Sequence, residues 1–251
     1  MTTTPNAGQA PATSAPAPDP ADTHLLDNPV HRSLAGPHAR FAERRGNVLR
    51  YPADVCEFVA LPDLPDAQDW ADLAELTGPG TVIALAGTKT PPPDGWEIVY
   101  QGPGAQLVDD GVATAPDAEA VRLTAADVPE MLALVERNDP GPFLPRGIEL
   151  GAFLGFRRNG ALIAMAGERL NPPGWTEISA VCTDAAYRGQ GLATRLVRAV
   201  AHGIRQRGDI PFLHTAAENT NAVRLYESLG FRRRPGIVFL AVRVPDDLSA
   251  G

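Results

Sequence analysis

The stretch TEISAVCTDAAYRGQGLA, from Thr176 to Ala193, restricts this chain more than any other. Its apolar and β-branched residues as far as Thr183 read as a buried strand, Asp184 to Gln190 as a short loop, and Gly191 onward as the start of a helix. Along that helix Leu192, Leu196, Val197, Val200, Ala201 and Ile204 fall on one side, with Arg195, Arg198 and Arg205 on the other. A strand, a glycine-bearing loop and a helix start in this order present free backbone N–H groups to an anionic ligand. The ligand is not a dinucleotide in a Rossmann cradle, because Thr194 stands where the GxGxxG fingerprint needs its third glycine. GxxxxGK[ST], GxSxG and HExxH are absent, and His24, His31, His38, His202 and His214 have no ligand-like spacing, so no metal is expected.

Composition narrows the class further. A length of 251 residues allows two small domains or one enlarged one, and 44% hydrophobic content is enough for a core. A formal charge of -8 argues against nucleic acid as a partner, since such affinity comes from clustered cations. Cys56 and Cys182 lie far apart and match no CxxC pattern, which predicts reduced thiols in a cytosol. No run approaches the roughly 20 apolar residues of a spanning helix, and no apolar signal core opens the chain, so a cytoplasmic protein away from membranes is expected.

In chain order, residues 1–23 carry no branched aliphatic or aromatic side chain and read as a disordered tail. Residues 24–111 read as an N-terminal α+β domain of short strands with few helices, acting as a support or lid or lending residues to an acceptor pocket. Val112 to Ala120 reads as a linker, and residues 121–251 as a second domain. There Val121 to Leu123 predicts a strand. Thr124 with Asp127 predicts a capped helix whose stripe is Val128, Met131, Leu132 and Val135. Asn138 to Gly147, with three prolines and two glycines, predicts a loop. Asn159-Gly160 predicts a hairpin between two apolar runs, and Trp175 to Thr183 a third antiparallel strand flanked on both sides. Pro211 to Thr215 predicts a strand, Asn221 to Leu229 a helix closed by Gly230, and Gly236 to Val244 a last strand.

The pattern RGQGLA at Arg188 to Ala193 resembles the signature [QR]-x-x-G-x-[GA] of the GNAT N-acetyltransferase superfamily, with Arg188, Gly191 and Ala193 in its fixed positions. Further on, NTNAVRLYESLGF is similar to the family's N-x-x-A-x-x-L-Y-x-x-x-G-F, through Asn219, Ala222, Leu225, Tyr226, Gly230 and Phe231. The resemblance covers roughly residues 121–244. It implies an α+β fold with a mixed, mostly antiparallel sheet flanked by helices, and the N-terminal half as a divergent relative of the same fold is an open option.

The resemblance further implies acetyl-CoA as co-substrate and a small-molecule or peptide amine as acceptor, joined in a ternary complex. Backbone N–H groups of Arg188, Gly189, Gln190, Gly191, Leu192 and Ala193 would hold the coenzyme A diphosphate, with Asn219 beside them. Val181, Cys182 and Thr183 would pair with the pantetheine arm. Tyr226 matches the family's general acid. Glu177, 11 residues before Arg188, is the expected general base through a water, its pKa raised by burial; pairing with an arginine is the structural alternative, and Glu168 the rival base. Cys182 as a nucleophile is the lesser mechanism, since nothing near it in sequence would activate it. Phe143, Arg146 and Glu149 are expected to border the acceptor pocket. Two other classes stay open: a non-catalytic acyl-CoA-binding module, and a structural partner-binding protein with a degenerate pocket. Acceptor, acyl length and oligomeric state are not legible.

Overall fold

The computed structural model describes residues 22–138 and 141–247. Most of the expected tail therefore lies outside the described residues, as do Asp139 and Pro140 of the expected loop. The N-terminal elements are a short helix α1 (Pro29–Leu34), three short strands β1 (Glu43–Arg45), β2 (Val48–Arg50) and β3 (Val59–Ala60), and a helix α2 (Ala67–Thr77). Two strands follow, β4 (Val82–Ala86) and the 13-residue β5 (Glu97–Asp109). Next come β6 (Val121–Arg122), α3 (Val128–Asn138), β7 (Phe153–Arg158), β8 (Ala161–Glu168), β9 (Trp175–Thr183), α4 (Leu192–Gln206), β10 (Ile210–Ala216), α5 (Thr220–Leu229), β11 (Phe231–Arg233) and β12 (Ile237–Arg243).

Strands β1 to β3 form their own small sheet. The others make one nine-stranded sheet in the order β4-β12-β5-β10-β9-β8-β7-β6, with β11 also paired to β5. Every pairing in it is antiparallel except β9 with β10, so β9 has an antiparallel neighbour on one side and a parallel one on the other. The sheet draws strands from both sides of residues 112–120. Ile237 to Arg243 of β12 lie along the first part of β5, while Phe212 to Ala216 of β10 pair with its second part. Residues Gln106 to Val108, which look like a separate short piece in sequence, belong to this single long strand. Gly102 and Gly104 permit it: a Cβ at Gly102 would lie 2.2 Å from the Tyr100 hydroxyl, and one at Gly104 2.5 Å from the Phe239 ring. The segment read as a linker lies against α4. Val112 is buried and its carbonyl accepts from Arg205 (2.9 Å), while Arg195 grips Asp117 through two hydrogen bonds of 2.7 and 2.8 Å.

Alternation along β8 builds two layers. Ala164 and Ala166 pack with Leu196, Val197 and Val200 of α4, while Met165 between them packs with Met131 and Leu134 of α3; a register shift against β7 at Ile163 puts Leu162 on the α3 side as well. Local signals set the helix ends. Thr124 and Asp127 form the expected capping box, although the turn they close, Ala125–Asp127, is 3-10 before α3 proper. Gly230 ends α5 in the left-handed conformation at φ 101°. Strand β11 has no counterpart among the sequence expectations; at three residues it is too short to show a period.

Candidate active site

Helix α4 starts at Leu192 because Gly191 and Gly189 take φ of 74° and 77°, a region that favours glycine. A Cβ on either would meet no atom within 4 Å, so what glycine supplies here is the backbone turn and an open surface. Gly191 makes no side-chain cap, which leaves the first-turn N–H groups of α4 without a side-chain acceptor from it. In front of them lies a cleft of about 430 Å³. Of the residues expected to contact coenzyme, Val181, Cys182, Thr183, Arg188, Gly189, Gly191, Leu192, Ala193 and Asn219 line it, and so does Tyr226. Gln190 does not.

Two side chains in this cleft are fixed by the frame. Arg188 donates to the Thr183 carbonyl (3.3 Å) and to Asn138 Oδ1 (3.0 Å), which holds its guanidinium beside the glycine loop. Asn219 Oδ1 accepts the Ala222 N–H (3.1 Å) as the N-cap of α5, setting where that helix begins and hence where Tyr226 sits. Tyr226 is 8% exposed, and burial pushes its phenol up to about 12. Cys182 is buried, its thiol pushed up to about 11 chiefly by desolvation, and Sγ reaches towards the Leu134 carbonyl (3.7 Å). Such a thiol is un-ionised at neutral pH and a poor nucleophile.

Strand β9 is irregular where the cleft meets it. Ala164 pairs with Thr183 and Met165 with Cys182, but Gly167 pairs with Ser179, so Ala180 and Val181 face the single Ala166. Ala180 absorbs this bulge at φ 51°, unusual for a residue with a side chain. Beyond the same point β9 and β10 stop pairing: their register ends at Leu213 with Ile178, although the strands continue to Ala216 and Thr183. The sheet is thus split beside the bulge. On one side Val181 to Thr183 face the glycine-loop cleft; on the other Ser179 and Ala180 line a second cleft.

That second cleft has a free volume of about 20 Å³, roughly what one or two waters need. Its apolar walls are Val55, Phe143, Leu144, Leu150 and Phe153, and its charged groups are Glu57, Glu168 and Arg169. Phe143, expected to border an acceptor pocket, lines this cleft. Arg146 and Glu149 do not line the cleft: they pair with each other at 2.7 Å on the exposed surface, Arg146 also reaching Asp54 (3.3 Å).

Glu177 lies in neither cleft and is 1% exposed. Arg169 grips it in a fork, Nε to Oε2 at 2.9 Å and Nη2 to Oε1 at 2.8 Å, and Oε2 also accepts the Leu170 N–H at 3.2 Å. His214 Nδ1 stands 2.7 Å from Oε1. Beyond it, Gln106 Nε2 donates to the Leu26 carbonyl (2.9 Å) and meets His214 Nε2 (2.8 Å), while Gln106 Oε1 accepts from Arg234. This network assigns His214 the Nδ1–H tautomer, with Nε2 accepting.

The expected rise in the Glu177 pKa is therefore reversed. Burial alone would raise it, but Arg169 and His214 outweigh burial and hold the carboxyl well below the usual carboxylate range. A carboxylate so stabilised is a weak base, and the geometry favours the alternative of pairing with an arginine. Glu168, the rival base, does line the second cleft; it accepts from Arg207 (2.7 Å) and from the Ala152 N–H (3.1 Å). Sequence reasoning passed over Arg169, Glu57 and the Ala180 bulge. Arg169 had a signal: the Asn171-Pro172-Pro173-Gly174 turn sets it opposite Glu177, and opposite charges pair across strands.

Known proteins resemble this chain in sequence and in fold. The family model described as FR47-like protein matches residues 153–240. A structure from Novosphingobium aromaticivorans DSM 12444, described as an acetyltransferase of the GNAT family, is 40% identical, with TM-score 0.81 over 88% of this chain and 99% of that one. A GCN5-related N-acetyltransferase from Kribbella flavida shares the fold at 19% identity and TM-score 0.55, over 84% of this chain and 95% of that one. Among curated proteins, the N-alpha-acetyltransferase RimI of Mycobacterium tuberculosis is 34% identical over 103 residues, 38% of this chain and 64% of that protein. The mycothiol acetyltransferase of Corynebacterium glutamicum is 45% identical over 60 residues, 24% of this chain and 20% of that protein. The match thus spans less than two thirds of either curated relative. With the glycine loop, the split sheet and the tyrosine helix in one place, this chain belongs to the GNAT superfamily.

Proposed function

We propose that this chain is an acetyl-CoA-dependent N-acetyltransferase that moves the acetyl group directly to a primary amine. The observation that carries this reading is the meeting of the two clefts at the Ala180 bulge, where β9 and β10 part. A thioester reaching through the glycine-loop cleft would lie with its carbonyl at that split, open to an amine from the second cleft. The glycine loop, the unpaired first turn of α4 and Arg188 offer the donors a diphosphate needs.

The amine nitrogen attacks the thioester carbon, the carbonyl oxygen takes up negative charge, and collapse breaks the C–S bond. The departing thiolate needs a proton. Tyr226 lines the glycine-loop cleft and is a phenol at neutral pH, so it is placed to give it. The amine must lose a proton in turn, and in this reading the rival base Glu168, which lines the second cleft, takes it directly or through a water. Glu177 acts at one remove: it fixes Arg169, which forms part of that cleft's wall.

The test is free-thiol release from acetyl-CoA across a panel of amines, including peptides with a free α-amine because one relative is named an N-alpha-acetyltransferase. Amine-dependent release that Tyr226→Phe lowers by about 100-fold supports the reading. The small free volume of the second cleft, about 20 Å³, favours one rival, a module that binds acyl-CoA without catalysis. Coenzyme binding with no amine-dependent release across the whole panel would support that rival.

A further inference from the structure

The N-terminal region reaches into the second cleft through Glu57, which stands just before β3. Around that cleft the charged groups fall into pairs. Glu177 takes the Nε and Nη2 edge of Arg169, and Glu168 takes Arg207 at 2.7 Å. Glu57 is matched less closely. Its Oε1 lies 3.6 Å from Arg169 Nη1, beyond hydrogen-bond reach, and its Oε2 lies 3.9 Å from the Cys56 thiol, a weak donor. Of the charged groups that line the cleft, two are carboxylates and one is a guanidinium, and that guanidinium is engaged behind the wall by Glu177, which leaves an excess of negative charge. Glu57 lines the cleft and keeps 26% of its side chain exposed, and its two contacts are both long.

We propose that Glu57 selects the acceptor: its carboxylate binds the ammonium group of a primary amine and holds it in the second cleft before transfer. The proposal rests on the acetyltransferase reading above and deepens it. A free volume of about 20 Å³ fits an ammonium head rather than a ring, and the walls of Val55, Leu144, Leu150 and Phe153 suit an aliphatic stem. A neutral alcohol of the same shape would leave the excess charge unanswered. Because Glu57 lies before residue 112, this gives the N-terminal region a share in acceptor choice.

The probes are n-butylammonium and its neutral counterpart n-butanol, titrated into the full chain saturated with coenzyme A. Butylammonium should bind the wild type more tightly than butanol does. Glu57→Gln should weaken butylammonium by about 10- to 100-fold, the usual worth of a charge-assisted hydrogen bond, and leave butanol unchanged. Glu57→Asp should fall between. Coenzyme A affinity and the melting temperature report on the fold of each variant. The proposal is overturned if butylammonium fails to bind the wild type, if Glu57→Gln binds it as the wild type does, or if that variant loses butanol and coenzyme A equally. Failure of coenzyme A to bind the wild type would instead overturn the acetyltransferase reading.

Discussion

The two clefts that flank β9 are built by opposite means. The glycine-loop cleft draws most of its lining from one stretch between Val181 and Thr194, a strand end, a loop and a helix start, with Asn138 and α5 closing its sides. The second cleft is made of residues from five separated stretches, Val55 to Glu57, Pro142 to Leu150, Phe153, Glu168 with Arg169, and Ser179 with Ala180, and Arg169 is held there by its buried pair with Glu177. A backbone site can be written in consecutive residues, whereas a side-chain site depends on which strands lie beside each other. The first should therefore tolerate many side-chain changes and fail on backbone ones, and the second should do the reverse.

The largest expected effect lies on the ion-pair side. Glu177→Gln leaves Arg169 buried without its counter-charge, and breaking a buried pair costs about 3–5 kcal/mol. For a chain of this size that lowers the melting temperature by roughly 6–20 °C, measurable by calorimetry. The pH dependence has a defined sign. The folded-state pKa of Glu177 is depressed, so its contribution is complete above the unfolded carboxyl value of about 4.3 and is lost as pH falls from there towards the folded value. The wild type should lose melting temperature through that acid window more steeply than Glu177→Gln.

Next comes Tyr226→Phe. It should cut turnover by about 10²- to 10³-fold in steady-state assays while leaving coenzyme affinity unchanged, as expected for a proton donor that acts only late in the reaction. On the backbone side, Gly191→Val forces a β-branched residue to φ 74° at a position where its Cβ has open space. The strain is about 1–2 kcal/mol, and the affected quantity should be KM for acetyl-CoA, about 10-fold higher with turnover largely kept. Arg188→Ala should also raise that KM, and the gap from wild type should shrink as salt is added. The smallest effect is expected at Arg146 and Glu149, an exposed pair beside the second cleft. Alanine at either should leave KM for the amine within about twofold.

The same contrast explains what the sequence disclosed. The loop, the α4 stripe and the Asn219 cap follow from residues that are neighbours in the chain, and they were legible. Glu177 was visible as a buried carboxylate, but its charge state depends on Arg169 across a hairpin and His214 on a parallel strand 37 residues away. Only the first of these had a local signal. The Ala180 bulge was not legible, because alanine does not mark a left-handed backbone as glycine or asparagine does. Nor was the reach of β5, whose central Gly102-Pro103-Gly104 reads as a turn. It continues as a strand because Tyr100 and Phe239 occupy the space the glycines leave.

The most direct test of the account is to titrate the protein with coenzyme A and, separately, with pantetheine, which has the same thiol arm but lacks the diphosphate. If the glycine loop and the first turn of α4 hold a diphosphate, coenzyme A should bind at least about 100-fold more tightly than pantetheine, and Gly191→Val with Arg188→Ala should remove most of that difference. Equal affinity for the two ligands, or a difference that survives both substitutions, would contradict it.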